Sequence, residues 1–373
     1  MGVVKLGDVA RESRLKWTKS KQDVPIVGLE HLIPDEIRFD AYDINTDNTF
    51  SKRFVKGQVL FGRRRAYQRK AAIAEFDGIC SGDITVIEAI EGKMVPELLP
   101  FIIQTPVFFD YANRGSAGSL SPRVKWEHLV DYEFELPPLE EQKILADKLW
   151  AAYRLKEAYK KLLDATDEMV KSQFIEMFEN VESYCKLEDL ISDTFPGEWG
   201  SEPISENAIK VIRTTNFTNE GYLDLTDVVT RDIEPKKVVR KKLKQGDTIL
   251  ERSGGTKDNP VGRVVFFDEI GDYLPNNFTQ VLRPKESVNP VYLFYALYNS
   301  YNLNKAAMRA MASQTTGIQN LSMSDFMAKS IVLPSRDEQN KFEQIYRQAD
   351  KSKFELKQCI ENIDKVIKSL ING

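Results

Sequence analysis

The sequence predicts an α+β chain: a tandem repeat of two β-rich globular domains, each followed by a long helix, with the two helices pairing as an antiparallel coiled coil. Three observations predict it. "ELPPLEEQK" at 135–143 returns as "VLPSRDEQN" at 332–340. Strand signals precede each copy in the same order. A long helical pattern follows each copy.

Both junctions are helix starts. Pro fixes φ near the helical value and lacks the N–H that a first turn leaves unpaired. Ser335 can cap, and Glu338 three residues on completes an S-x-x-E capping box. Glu140, Glu141, Asp337 and Glu338 put negative charge at the positive end of the helix dipole. Gln142 recurs as Gln339, Leu136 as Leu333 and Leu129 as Phe326, all at one offset. The expected divisions are a first β-rich domain over 1–139, a long helix over 140–182, a second β-rich domain over 183–334 and a second long helix over 335–373.

Other segments return in order. "VKLGDVA" (4–10) is echoed by "CKLEDLI" (185–191), and "FVKGQVLFGRRRAY" (54–67) by "KLKQGDTILERSGG" (242–255). "KAAIAEFDGICSGDITVIEA" (70–89) answers to "VGRVVFFDEIGDYLPNNFTQVLRP" (261–284). Each is two apolar runs around an Asp-containing turn and predicts a hairpin. "GSLSPRVKWEHLVDYEFELP" (118–137) parallels "GIQNLSMSDFMAKSIVLP" (317–334).

In the first helix a 4-3 series runs Leu145, Leu149, Ala152, Lys156, Tyr159, Leu163, Thr166, Val170. In the second a 3-4 series runs Phe342, Ile345, Ala349, Ser352, Leu356, Cys359, Ile363, Val366, Leu370. That is a heptad seam. Mutual antiparallel pairing is the simplest outcome; the alternative is that each helix docks on its own domain.

The 373 residues suffice for two or three domains with ample core. No apolar run is long enough for a transmembrane span, and "MGVVKLGDVARES" lacks a signal-peptide core, so no membrane partner is expected. Three scattered cysteines, Cys80, Cys185 and Cys359, argue for a reducing cytoplasm.

Net charge is −4, yet positive charge is clustered. Between Lys52 and Lys70 stand eight basic residues and no acid; Arg231 to Lys244 holds seven basic residues and two acids. These runs read as corresponding places in the repeat. Arginines in "GRRRAY" can reach phosphates or pair bidentately with guanine. "SQTTGIQNLS" (313–322) and "NRGSAGSLSP" (113–122) offer amides, hydroxyls and glycine turns suited to adenine edges and phosphates.

Catalytic patterns are missing. The chain has no G-x-x-x-x-G-K-[ST], no G-x-G-x-x-G and no G-x-S-x-G. Only His31 and His128 could join the cysteines, which argues against zinc. No cofactor or metal is expected. A nuclease with an unrecognised carboxylate cluster and a protein-binding coiled-coil adaptor are the competing classes.

The two-fold repeat, "GQVLFGRRRAYQRKAAIAEFDGICSGD" (57–83), "TTGIQNLS" (315–322) and the twin "LPPLEEQ" and "LPSRDEQ" junctions together resemble the DNA specificity subunit of type I restriction-modification systems, over essentially the whole chain. The resemblance implies two target recognition domains, each reading half of a split, asymmetric site in double-stranded DNA. It implies helices that separate the domains and dock two methyltransferase subunits. Adenine methylation and ATP-driven cleavage by restriction (motor and nuclease) subunits then lie in partners, and this chain has no N-P-P-Y or D-P-P-Y. Similar subunits serve type IIB enzymes and systems that only methylate. The implied DNA contacts are Lys52, Arg63, Arg64, Arg65, Tyr67, Arg69, Lys70, Arg114, Ser116 and Ser119 in the first domain. In the second they are Arg252, Ser253, Thr256, Lys257, Asn276, Asn277, Gln314, Thr315, Thr316 and Gln319.

Overall fold

The computed structural model describes residues 2–118, 121–204, 208–315 and 317–372. The chain forms two compact units, residues 1–160 with 357–373, and residues 161–356. The long helices are Leu139–Phe178 and Arg336–Asn372, so each unit holds a β-rich head and a part of both.

The heads share a four-stranded sheet, a parallel strand pair and a closing antiparallel pair, but the third strand beside the parallel pair is Lys52–Phe54 on Gly78–Cys80 in the first and Val229–Arg231 on Ile209–Ile212 in the second. In the first unit a four-stranded antiparallel sheet runs in the order Ala10–Glu12, Ile84–Ala89, Val59–Gly62, Ala71–Ile73. In the second the order is Ile191–Pro196, Thr279–Pro284, Asp247–Glu251, Val264–Phe267. Each head also has a parallel pair, Ile26–Val27 with Gly78–Cys80 and Ile209–Ile212 with Tyr273–Pro275. A small antiparallel pair closes each head, Gly2–Lys5 with Glu133–Leu136 and Tyr184–Lys186 with Ser330–Val332.

Side chains differ where the backbone agrees. Gln58 and Asp247 are both buried at strand starts, and each accepts from the backbone N–H three residues earlier, Val55 at 2.9 Å and Lys244 at 2.8 Å. The cross-strand pair Arg11–Glu88 (2.7 Å) has its signs exchanged in Asp193–Arg283 (3.7 Å).

The expected hairpins over 70–89 and 261–284 do not form. Ala71–Ile73 pairs with Val59–Gly62, while Gly78–Cys80 crosses to the strands Ile26–Val27 and Lys52–Phe54. Asp77 fixes that crossing by accepting from Lys56 N (3.0 Å) and Arg53 (3.3 Å). The second unit departs likewise: Val264–Phe267 pairs with Asp247–Glu251, and Tyr273–Pro275 with Ile209–Ile212. Hairpins form instead at 59–73 and 247–267, which carry "GRRRAYQRK" and "RSGGTKDNPVGR" at their tips.

The second long helix starts with the capping box that its sequence signals. Ser335 N donates to Glu338 Oε2 (2.9 Å) and Glu338 N to Ser335 Oγ (3.4 Å). The hydrogen bond from Ser335 holds the Glu338 carboxyl below its ordinary range. The repeated glutamines are almost wholly buried, at 2% and 1% exposure. Gln142 Nε2 donates to Pro137 O (2.9 Å), and its Oε1 accepts from Val95 N (2.9 Å). Gln339 does the same with Pro334 O (2.9 Å) and Asn289 N (2.8 Å). Val95 and Asn289 are the N-caps of the helices Pro96–Leu98 and Pro290–Leu303. Each glutamine therefore stitches its long helix to the helix that follows the sheet.

In the first unit Ala146, Leu149 and Tyr153 join the head's core, with Ile367, Leu370 and Ile371 packed on it, and Lys156 pairs with Asp364 at 2.6 Å. In the second, Val170, Phe174 and Phe178 share a core with Phe342, Tyr346, Ala349 and Tyr292. Lys353, 8% exposed, pairs there with Asp167 at 2.7 Å. The expected seam is corrected at Val366, which is 52% exposed while Ile367 packs inward. Each long helix contacts a head as well as the other helix, so its inward face is wider than a two-helix seam. Among the described residues no helix is long and apolar enough to cross a membrane.

Replacing Gln339 or Gln142 with Ala strands a buried backbone N–H and carbonyl. The expected cost is about 1–3 kcal/mol per orphaned group, measured by chemical denaturation of the full chain. A loss below about 0.5 kcal/mol, the level of an ordinary surface change, would show that the stitch is dispensable.

Candidate nucleic-acid interface

In the first unit three segments meet at the tip of the 59–73 hairpin. Arg63 N donates to Asp83 O (3.0 Å), Val124 N to Arg63 O (3.0 Å), and Arg65 N to Pro122 O (2.8 Å). Asp83 lies between two guanidinium groups. Arg123 Nε donates to Asp83 Oδ1 at 2.7 Å, and Arg64 Nη1 to Asp83 Oδ2 at 3.4 Å. Arg64 Nε donates to Ser121 Oγ. The hydrogen bond from Arg123, aided by the charges of Arg123 and Arg64, holds the Asp83 carboxyl below its ordinary range.

Arg65 and Arg69 bracket the turn Ala66–Gln68, both left-handed at φ 53° and 54°. A non-glycine residue pays strain there, of order 1 kcal/mol. Arg69 has a structural return, an ion pair with Asp35 at 2.7 Å and a seat over the Phe109 ring. Arg65 is exposed, Tyr67 is 57% exposed, and neither side chain has a hydrogen-bond partner among the described residues.

The second tip is laced by the same bonds. Arg252 N donates to Phe278 O (2.9 Å) and Leu321 N to Arg252 O (2.8 Å). Arg63, Arg64, Asp83 and Arg123 thus correspond to Arg252, Ser253, Phe278 and Asn320. Where the first tip has a charged clamp, Ser253 Oγ donates to Asn320 Oδ1 at 2.7 Å, and Phe278 is 37% exposed. A three-stranded sheet, Ser253–Gly254, Ile318–Leu321 and Ala312–Thr315, carries the amide-rich segment beside this tip.

The predicted residues divide accordingly. Arg63, Arg64, Arg65, Tyr67 and Arg69 come together at the first tip; Arg63 Nε is buried without a partner among the described residues. Arg114 is exposed beside the Tyr111 ring, and Ser116 Oγ donates to Ala112 O (3.2 Å). Arg252, Thr256, Lys257 and Gln319 gather at the second tip, and Asn277 is exposed on the adjoining turn. Gln319 Oε1 accepts from Val261 N (3.3 Å). Gln314 and Thr315 lie in the strand Ala312–Thr315. Ser119 and Thr316 fall outside the described residues.

Four predicted residues are held inward. Lys52 Nζ donates to Ile84 O (2.8 Å) and pairs with Glu12 (3.4 Å), and Lys70 Nζ donates to Leu29 O (2.7 Å). Ser253 is 9% exposed and bonded to Asn320. Asn276 is 5% exposed, and its Oδ1 has no partner among the described residues.

The second basic run is corrected in place and character. It precedes the strand Asp247–Glu251 and includes the helix Pro235–Lys241, whereas the first run continues past Val59–Gly62 into the tip. Five of its seven cations are paired with acids: Arg231 with Glu202, Lys237 and Lys241 with Glu198, Arg240 with Asp193, and Lys242 with Asp272. Sequence reasoning missed Asp83 and Arg123, which are 40 residues apart and carry no local signal.

Among the described residues no three of His, Cys, Asp and Glu gather into a group that could hold a metal.

The clamp has a pH signature. Because the folded Asp83 carboxyl sits below its unfolded value, about 3.9, its stabilisation is complete above that pH and is lost as pH falls through the lowered folded value. Asp83→Asn should therefore show a shallower loss of stability on the acid side, read by thermal melting between about pH 5 and pH 3. Identical acid limbs would contradict the lowered value.

A family model described as the type I restriction modification DNA specificity domain matches residues 1–165 and 195–365. The type I restriction enzyme EcoDI specificity subunit of Escherichia coli is 32% identical over 89 residues, covering 24% of this chain and 19% of that relative. The S subunit of a type I restriction-modification system from M. genitalium shares the fold, with TM-score 0.62 and 10% identity over 100% of this chain and 95% of that one. So does a chain from a type I R-M system solved for its complex assembly and conformational transition, with TM-score 0.57 and 17% identity over 99% of this chain and 96% of that one. The chain belongs to the type I restriction modification DNA specificity domain family, and it carries that domain twice.

Proposed function

We propose that the chain reads a bipartite, asymmetric target in double-stranded DNA, one half through each recognition domain, and brings partner subunits to it. Residues 1–139 and 183–334 are the two readers. Residues 140–182 and 335–373 are spacer helices that pair as an antiparallel coiled coil and dock two methyltransferase subunits. Restriction subunits join through that complex in the cytoplasm. The chain itself is non-catalytic and needs no cofactor; adenine methylation and ATP-dependent cleavage belong to the partners.

One observation carries this reading. Two hairpin tips have the same backbone lacing and different side chains, Arg64, Asp83 and Arg123 against Ser253, Phe278 and Asn320. A duplicated frame with divergent tips is what two readers of unlike half-sites require. The proposed contacts in the first domain are Arg63, Arg64, Arg65, Tyr67, Arg69, Arg114, Ser116 and Ser119. In the second domain they are Arg252, Thr256, Lys257, Asn277, Gln314, Thr315, Thr316 and Gln319. Antiparallel pairing is supported within each unit by Lys156–Asp364 and Lys353–Asp167.

Arg63→Ala with Arg65→Ala should weaken discrimination in one half-site only, by about 1–3 kcal/mol per lost bidentate contact. The check is the methylated motif, sequenced from cells that carry the variant and its partners. Equal loss in both half-sites would defeat the two-reader proposal.

The spacer helices should set the unread gap. One heptad inserted after Thr166 adds about 10 Å while keeping the seam in phase. The unread gap should then grow by up to about three base pairs, with the bases read unchanged. An active variant that reads new bases across the old gap would sink the spacer assignment.

A further inference from the structure

We propose that Asp83 is a positioning residue for guanine recognition: it fixes the guanidinium groups of Arg64 and Arg123 so that their free N–H edges meet the O6 and N7 acceptors of a guanine in the major groove. This rests on the proposed reading of DNA by the first tip and adds to it the base and the residues that select it.

The geometry supports it in three ways. First, the two arginines are anchored without being exhausted. Arg123 uses Nε (2.7 Å) and Nη2 (3.4 Å) on the two oxygens of Asp83, which leaves Nη1 without a partner among the described residues. Arg64 uses Nε on Ser121 and Nη1 on Asp83, which leaves Nη2. Their side chains are 45% and 39% exposed, while Asp83 is 21% exposed. A guanidinium has five N–H donors in a fixed fork; holding one edge on a carboxylate orients the other.

Second, a purely structural acid–arginine pair in this protein looks different. Glu251 is 2% exposed and binds Arg263 Nε at 2.7 Å. The other Arg263 nitrogens donate to Phe217 O (3.5 Å) and Thr214 O (3.3 Å). That arginine has its three nitrogens engaged inside the domain.

Third, the clamp is not part of the shared frame. The equivalent positions of the second unit hold Ser253, Phe278 and Asn320 on the same backbone bonds. A fold requirement would be expected at both tips; a specificity requirement only where that specificity is needed.

Charge gives the test its sign. Asp83 is a negative charge on a surface proposed to face phosphates. Removing it should strengthen salt-dependent, non-specific binding. If Asp83 positions the arginines, the same change should weaken discrimination. The experiment measures binding of the full chain with its methyltransferase partner to duplexes bearing the methylated motif, single-base variants of it, and unrelated sequence, across a salt series. Asp83→Asn should bind unrelated DNA as well as or better than the parent, and should lose about tenfold or more in discrimination at one G·C pair of one half-site. Arg123→Lys keeps the charge but not the fork, so it should lose the same discrimination with an unchanged salt slope; it also serves if Asp83→Asn fails to fold. Unchanged discrimination in folded Arg123→Lys would overturn the proposal. So would a uniform loss across all sequences with a shallower salt slope, which marks a phosphate contact. If Arg63→Ala with Arg65→Ala shifts one half-site while neither clamp variant does, the clamp proposal falls and the two-reader function stands. If no first-tip variant shifts either half-site, the function itself falls.

Discussion

Two buried glutamines hold the architecture together. Gln142 and Gln339 each join the carbonyl before a long helix to the N-cap backbone of another helix, through bonds of 2.8–2.9 Å. A buried backbone N–H must find a partner. An amide carries both a donor and an acceptor, so one side chain satisfies an N–H and a C=O at once. Glutamic acid would lose the donor, and leucine would lose both. That double demand explains why Gln is kept where the junction recurs.

Around this fixed point the four-stranded sheets of the two heads hold the same strand order with freely exchanged side chains. Gln58 becomes Asp247 in one backbone-accepting role, and Arg11–Glu88 becomes Asp193–Arg283 with signs reversed. Pair complementarity is preserved even though identity is not, which is how a duplicated frame can drift without losing its fold. The same freedom at the hairpin tips turns one frame into two different surfaces.

The legible parts were local or periodic. The capping box at Ser335 and Glu338 could be read because its partners are three residues apart. The tandem order could be read because junctions repeat. Strand pairing could not: Ala71–Ile73 and Gly78–Cys80 are neighbours in sequence yet join different sheets, and a turn signal does not say which sheet the next strand enters. The basic run from Arg231 misled because its neutralising acids, Asp193, Glu198 and Asp272, lie well outside it in sequence. Asp83 was invisible for the opposite reason, since its partner Arg123 arrives from a distant loop.

What separates the two proposed readers should then reside in side chains carried on a common backbone. The direct measurement is the methylated motif of a chain whose first tip carries the second tip's side chains, Arg64→Ser with Asp83→Phe and Arg123→Asn. One half-site should change and the other should keep every base. A folded, active variant whose two half-sites both change, or whose motif does not change at all, would contradict a separate reader in each unit.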